Sequence, residues 1–492
     1  MEKKKYFWSC FLLAGLLGFV AVFTAYWYPN GLFWDENYHI ASAQKYIDGV
    51  MFMEPHPPLG KQILALGEAI FNAFGLNKGI DKSSFLTTDY ITSVPEGFSF
   101  AGFRFFSVFF AFLSSFFIFL IFYLIFSNPL YALLFSSFYI FENAIIMHSR
   151  GAMLEGIQLF FVILSTFYFI YLIKVKNGRK LLDYFLLAIF AGLAISVKVN
   201  SMIVLLFFVF LAWEDYREEI LKLKFSLGFI KDFFLKATVS VVGVLLVVFL
   251  SFYAHFAICN RVVSGRYYQA SNEYKEILAA HKTTDVRYFP VMLRDYISYI
   301  ILYEKGVPKW DPTKKGENGS PAFTWPFGYK SINYRWTKWR GKVAYLYLQG
   351  NPLIWLCGLL GVFLSIVFVV SKIFFGAKIK DSQRFRWISY FVMSYLFYLY
   401  TMFNIERVMY LYHYFIPLIF SFILFALIFY EFFGEYIEKN DRLMLVATSI
   451  FALEIFAVFL FYSPFTYYIP IDSIQFMKRV WTKIWDLVPI TY

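Results

Sequence analysis

The stretch MEKKKYFWSCFLLAGLLGFVAVFTAYWYPNGLFWDENYH, residues 1–39, decides the fold. Lys3, Lys4 and Lys5 precede an apolar run, and aromatic residues then lead to the adjacent carboxylates Asp35 and Glu36. The charged start and apolar run have the parts of a secretory signal peptide. At about 20 residues, however, the run has the length that crosses a bilayer's hydrocarbon layer, so it reads as an uncleaved first membrane helix. The whole chain agrees, with 60% hydrophobic and only 16% charged residues, where soluble proteins carry about 25% charged. Its 38 Tyr and 12 Trp suit the half-wet headgroup layers, and its 65 Phe suit the apolar depth.

Further apolar runs fall at 101–126, 130–147, 152–173, 181–197, 199–213, 235–256, 352–370, 387–403, 409–430 and 443–462, which with 7–28 make eleven expected transmembrane helices. The runs 181–197 and 199–213 are each near the short limit for a span. Clusters of Lys and Arg at Lys3 to Lys5, at Lys174, Lys176, Arg179 and Lys180, and at Lys372, Lys378, Lys380, Arg384 and Arg386 flank alternate runs. The positive-inside rule therefore places the N-terminus in the cytoplasm and the C-terminal tail, 463–492, outside. The expected fold class is an all-α polytopic membrane protein, its domain spanning residues 1–462, with two long outer loops at 29–100 and 257–345. Both loops are too long to be mere connections, so function is expected there.

The first loop contains LGKQILALGEAIFNAF, whose apolar positions 59, 63, 66, 70 and 74 keep a helical period opposite Lys61, Glu68 and Asn72. Its length and polar face suit a helix lying on the membrane surface. The second loop has 15 Lys and Arg against 7 Asp and Glu, which calls for an anionic partner, either lipid headgroups or a phosphate-bearing substrate. Cys10, Cys259 and Cys357 make no metal-ligand spacing and no disulfide framework, so no metal is expected. LGK at 59–61 is no phosphate loop, since Pro55 stands where that motif needs Gly and Gln62 where it needs Ser or Thr. HExxH and GxSxG are absent, and Asn318-Gly319-Ser320 is a short glycosylation triplet of the kind that arises by chance. Nothing signals a nucleic-acid partner.

Ionisable residues at membrane-helix ends are costly and therefore point to function. They gather at the expected outer ends: Asp35, Glu36 and His39; His56 and Lys61; Arg104; His148, Arg150 and Glu155; Lys198 and Asn200; Arg407 and His413. Residues snorkelling to water account for any one of these, less well for the set. Carboxylates beside several cations suit transfer of a group from an anionic leaving group to a hydroxyl, with a carboxylate as general base and cations holding phosphate. Nucleotides are cytoplasmic, so an enzyme working outside needs a donor already in the membrane, and a polyprenyl-phosphate sugar fits. Transporters line cavities with similar residues, but the paired Gly- or Pro-broken helices of two related halves are not seen.

WDENYH at 34–39, HPPLGKQILAL at 56–66 and FRFFS at 103–107 resemble the protein O-mannosyltransferase family. HSRGAMLEG at 148–156, ISVKVN at 195–200, WPFGYKSINYRW with YLQGNPLIWL, and ERVMYLYHYFIPLIF at 406–420 continue the resemblance in the family's order. It implies a glycosyltransferase of the GT-C type with eleven spans, a polyprenyl-phosphate mannose donor, and a Ser or Thr acceptor on a secreted or membrane protein that the secretion machinery could present. It also implies inversion at the anomeric carbon without an essential metal or other cofactor. By this resemblance Asp35 and Glu36 are catalytic, with Asp35 taking the acceptor proton. Arg104 shapes the site, and His56, Lys61, Arg150, Glu155, Lys198, Arg407 and His413 face donor or acceptor. The second loop leaves little room for the β-trefoil of eukaryotic members, so the chain resembles a bacterial-type member of the plasma membrane. Glu155 and Val199-Asn200 depart from the family's usual residues and bear on the sugar. A sister reading keeps the donor and moves the acceptor to a glycolipid, lipopolysaccharide or cell-wall glycan.

Overall fold

The computed structural model describes residues 6–176 and 178–490; Lys3, Lys4 and Lys5 lie outside them. In chain order, α1 (Phe7–Phe23) precedes three loop helices, α2 (Glu36–Ile47), α3 (Leu59–Ala73) and the single turn α4 (Ser83–Leu86). Then come α5 (Ala101–Phe126), α6 (Pro129–Ile140), α7 (Asn143–Ser149), α8 (Glu155–Lys174), α9 (Leu181–Val197), α10 (Leu206–Leu221) and α11 (Leu227–Ile258). The second long loop holds α12 (Asn272–Ala279), α13 (Phe289–Gly306) and a hairpin of β1 (Ile332–Trp339) and β2 (Lys342–Leu348). The chain continues through α14 (Pro352–Phe375), α15 (Ser382–Phe403), α16 (Phe415–Glu438), α17 (Arg442–Tyr467) and α18 (Ser473–Met477).

Each apolar run expected from sequence is helical over most of its length, with 24–28, 141–142, 152–154 and 409–410 outside helix. Among the described residues seven helical segments are long and apolar enough to cross a membrane, or eight with α6 and α7 taken as one span bent by 61°. The 17-residue helices α1 and α9 are apolar but shorter. With α15 they complete the eleven runs, though length and composition alone do not carry the count of spans that far.

The chain folds as two compact units. The first comprises residues 1–24, 112–148 and 309–492. Within it, α7 starts at a break whose buried Glu142 accepts Ile145 N–H at 2.6 Å, and Asn351 N–H and the Trp355 indole N–H at 2.9 Å each. A carboxylate satisfied at a helix N-terminus makes the break a built feature rather than a frayed one.

The helical fold stands as expected, with one two-stranded hairpin added in the second long loop. Aromatic and β-branched residues on either side of Arg340-Gly341 are a hairpin signal, and both turn residues have positive φ, 45° and 76°, matching the twist of the strands. The register pairs Trp339 with Lys342 and Trp336 with Tyr345, and shifts between Asn333 and Arg335. That irregularity redirects Tyr334, whose hydroxyl lies 2.8 Å from His148 Nδ1.

The second unit comprises residues 25–111 and 149–308. Its α3 is the amphipathic helix expected from sequence, but its polar stripe faces inward. Lys61 and Glu68 are buried, while Leu66, Ile70 and Phe74 are exposed. An apolar outer face suits contact with lipid, and the inner face approaches α5 so closely that a Cβ on Gly67 would lie 2.5 Å from the Gly102 carbonyl oxygen. Gly67→Val should therefore destabilise the purified protein by about 1–3 kcal/mol through overpacking. Leu66→Ala, on the exposed face, should stay within about 0.5 kcal/mol. Thermal unfolding in detergent compares the two.

Candidate active site

Asp35 sits where α2 begins, its backbone carbonyl accepting the N–H groups of Tyr38 and His39 at 3.0 Å each. Its side chain does not cap the helix and is half-buried, whereas the adjacent Glu36 is fully buried. Trp34 immediately before it has φ +49°, a left-handed conformation costing a bulky residue of order 1–3 kcal/mol. Something must hold this turn.

Glu36 and Arg104 hold it. Arg104, from the first turn of α5, donates Nε to Glu36 Oε1 at 2.7 Å and Nη2 to Oε2 at 2.9 Å. The remaining donors reach the carbonyls of Trp27, Pro29 and Gly31 at 2.8, 2.9 and 3.1 Å. Glu36 also accepts Phe33 N–H at 3.2 Å and Ala152 N–H at 2.9 Å. Both residues are 0% exposed, and the Arg104 guanidinium lies 4.3 Å from the Phe100 ring centroid. With its oxygens committed to four N–H donors, Glu36 acts as an anchor, and Asp35 beside it is less buried.

The turn after α7 is gripped from α2. His39 Nδ1 lies 2.8 Å from the Ala152 carbonyl oxygen. A carbonyl only accepts, so Nδ1 carries the hydrogen and Nε2 keeps its lone pair. Burial first, then the charges of Lys61 and His56, hold this imidazole well below its ordinary 6.5. Arg150 donates to the carbonyls of Ala25 at 2.8 Å and Tyr28 at 3.4 Å.

At the start of α3, Gly60 lies against Leu154 and Val197, where a Cβ would be 2.8 and 3.1 Å from their side chains. That approach brings the next residue, Lys61, beside the ends of α8 and α9. There Lys198 donates to Glu155 at 2.5 Å, both buried, and Gln158 donates to Asn200 at 2.5 Å. Lys61 pairs with buried Glu54. Burial pulls the Lys61 ammonium down to about 7, opposed first by the Asp35 charge and reinforced by Lys45 and Lys198. Asp35, His39, His56, Lys61, Glu155 and Lys198 are thus one electrostatic neighbourhood inside the second unit. Glu54 escaped sequence reasoning; its signal was an acidic residue two positions before His56.

His148, Arg407 and His413 belong to the first unit. His148 is buried and stacks on Tyr412 at 4.9 Å. His413 is buried beneath Trp325 at 6.0 Å, its Nδ1 lying 3.0 Å from Tyr410 O. Arg407 lines an open cavity of about 390 Å³ with Lys309, Trp310 and Phe403. Among the described residues no cluster of three or more His, Cys, Asp or Glu is placed to hold a metal.

The pattern of the family described as dolichyl-phosphate-mannose-protein mannosyltransferase matches residues 12–260, half of the chain. The chain belongs to the protein O-mannosyltransferase family. Residues 310–485 match the C-terminal four-transmembrane region of protein O-mannosyltransferase. Protein O-mannosyl-transferase 2 of Drosophila melanogaster is 25% identical over 272 residues, 52% of this chain but only 34% of that relative. In fold the chain is similar to the Saccharomyces cerevisiae protein O-mannosyltransferase Pmt1-Pmt2 complex bound to its sugar donor. That likeness has a TM-score of 0.79 at 14% identity and covers 99% of this chain and 93% of the other. An Archaeoglobus fulgidus oligosaccharyltransferase in the apo form gives 0.50 at 11% identity, covering 98% and 58%. The GT-C class expected from the family resemblance stands.

In this O-mannosyltransferase-family chain, Arg104→Gln should cost about 3–5 kcal/mol, because it leaves a buried carboxylate without its cation. Unfolding in detergent measures the loss. His39 supplies a pH test. The unfolded chain binds a proton that the folded site refuses, so this contribution is complete above about 6.5 and is lost as pH falls below it. Melting temperature should fall more gently below that pH in His39→Gln than in the parent.

Proposed function

We propose that this protein transfers mannose or a related hexose from a polyprenyl-phosphate sugar to Ser or Thr hydroxyls of secreted or membrane proteins, on the non-cytoplasmic face of the plasma membrane. Family membership and the donor-bound Pmt1-Pmt2 relative support the reaction class. The observation that carries the assignment of roles is the division of labour between neighbours: Glu36 is fully committed to Arg104 and backbone, while half-buried Asp35 is coupled to a cationic cluster.

In this reading Asp35 accepts the proton of the acceptor hydroxyl as its oxygen attacks the anomeric carbon. The bond from that carbon to the phosphate oxygen breaks on the opposite face, and the electron pair leaves with the lipid phosphate, giving inversion. Negative charge grows on the departing phosphate, so cations held nearby act in the transition state. Lys61 and Lys198 suit that role in the second unit. Phosphate is a good leaving group, so the scheme uses one base without a partner acid, unlike hydrolysis of an ordinary glycoside. Arg407 and His413 belong to the first unit, and the scheme draws only on residues of the second.

Asp35→Asn should fold and insert normally yet lose about 10²–10⁴ of the transfer rate, measured in membranes with a defined polyprenyl-phosphate mannose and a Ser/Thr peptide; near-normal turnover removes Asp35 as the base. The same assay in excess chelator should keep its rate. If sugar reaches an added glycolipid but never the peptide, the acceptor assignment fails while the donor assignment survives.

A further inference from the structure

The basic excess of the second loop is unevenly spread. Between Glu317 and Asp381 the chain has no acidic residue, while the hairpin alone carries Arg335, Lys338, Arg340 and Lys342. From Trp336 to Lys342 every residue is exposed, Trp336 by 46% and Trp339 by 54%. The Arg340 guanidinium lies 5.0 Å from the Trp339 ring centroid, so aromatic face and charge are presented together.

The position of this tip relative to the membrane follows from hydrogen bonds within the first unit. Tyr468, the residue directly after α17, donates its hydroxyl to Thr337 Oγ1 at 2.6 Å. Three residues on, Ile471 exchanges backbone hydrogen bonds with Val343 at 2.9 and 3.0 Å. Since α17 is a candidate membrane span, both strands are tied near the tip to the span's own end. The hairpin tip therefore lies close to the end of that candidate span. The segment that follows adds exposed Ile474, Met477 and Trp481, with exposed Lys478 and Lys483 among them.

We propose that the hairpin tip and the α18 segment form a foot on the bilayer, with Trp336 and Trp339 seated in the headgroup layer and Lys338, Arg340 and Lys342 paired with anionic phospholipids. Tryptophan favours that layer because one edge of the indole is apolar and its N–H is wet. The hairpin's cations sit in a stretch of sequence with no acidic residue and outnumber Asp472 and Asp486 of the adjoining segment, which favours anionic headgroups over zwitterionic ones.

The test uses the full chain in nanodiscs and the difference in tryptophan emission between the parent and the W336F/W339F double variant. Brominated phosphatidylglycerol should quench that difference several-fold more than the same fraction of brominated phosphatidylcholine, and K338Q/R340Q/K342Q should erase the preference. Equal quenching by the two lipids in the parent overturns anionic selection. A difference signal that neither lipid quenches, but aqueous iodide does, overturns the membrane foot and assigns the hairpin to water or to a protein partner. The comparison of lipids on the parent chain decides the matter even if the triple variant fails to fold.

Discussion

Everything proposed for this site depends on one buried ion pair. Arg104 and Glu36 are both removed from water, which is tolerable only because each N–H of the guanidinium and each carboxylate oxygen finds a partner. Three of those partners are backbone carbonyls between Trp27 and Gly31, and another is the Ala152 amide. The pair thus binds the segment before α2, the start of α5 and the turn before α8 into one rigid piece. That rigidity can sustain Trp34 in a left-handed conformation directly before Asp35. Two adjacent carboxylates of different burial let one anchor the turn while the other lies nearer to water.

The inward-facing polar side of α3 serves the same end. In a soluble protein an amphipathic helix hides its apolar face; here Leu66, Ile70 and Phe74 stay exposed while Lys61 and Glu68 turn inward. A lipid-facing exterior rewards that inversion, and it puts Lys61 next to the charges of Asp35 and Lys198. A membrane environment thus helps to build a polar interior at the loop level.

Helix positions were legible because lipid imposes long apolar runs, and ionisable residues at helix ends stood out as candidates because they are costly and few. Roles were less so. Adjacent Asp35 and Glu36 look equivalent as letters, and only three-dimensional partners separate them. His148 and His413 are buried in the first unit, where they stack on Tyr412 and Trp325. The hairpin was missed although Arg340-Gly341 between aromatic strands signalled it, since aromatic density is high throughout this chain and masks a period of two. The break at Glu142 was invisible in hydropathy, because one carboxylate inside an apolar run scarcely lowers the average.

The central claim is that Asp35, held in place by its neighbour's ion pair, takes the acceptor's proton. The most direct measurement is the pH dependence of single-turnover sugar transfer with donor saturating, in the parent and in Asp35→Asn. The account predicts an acid limb of unit slope in the parent that disappears from the residual rate of the variant. The same limb persisting in Asp35→Asn, at a comparable rate, would contradict it.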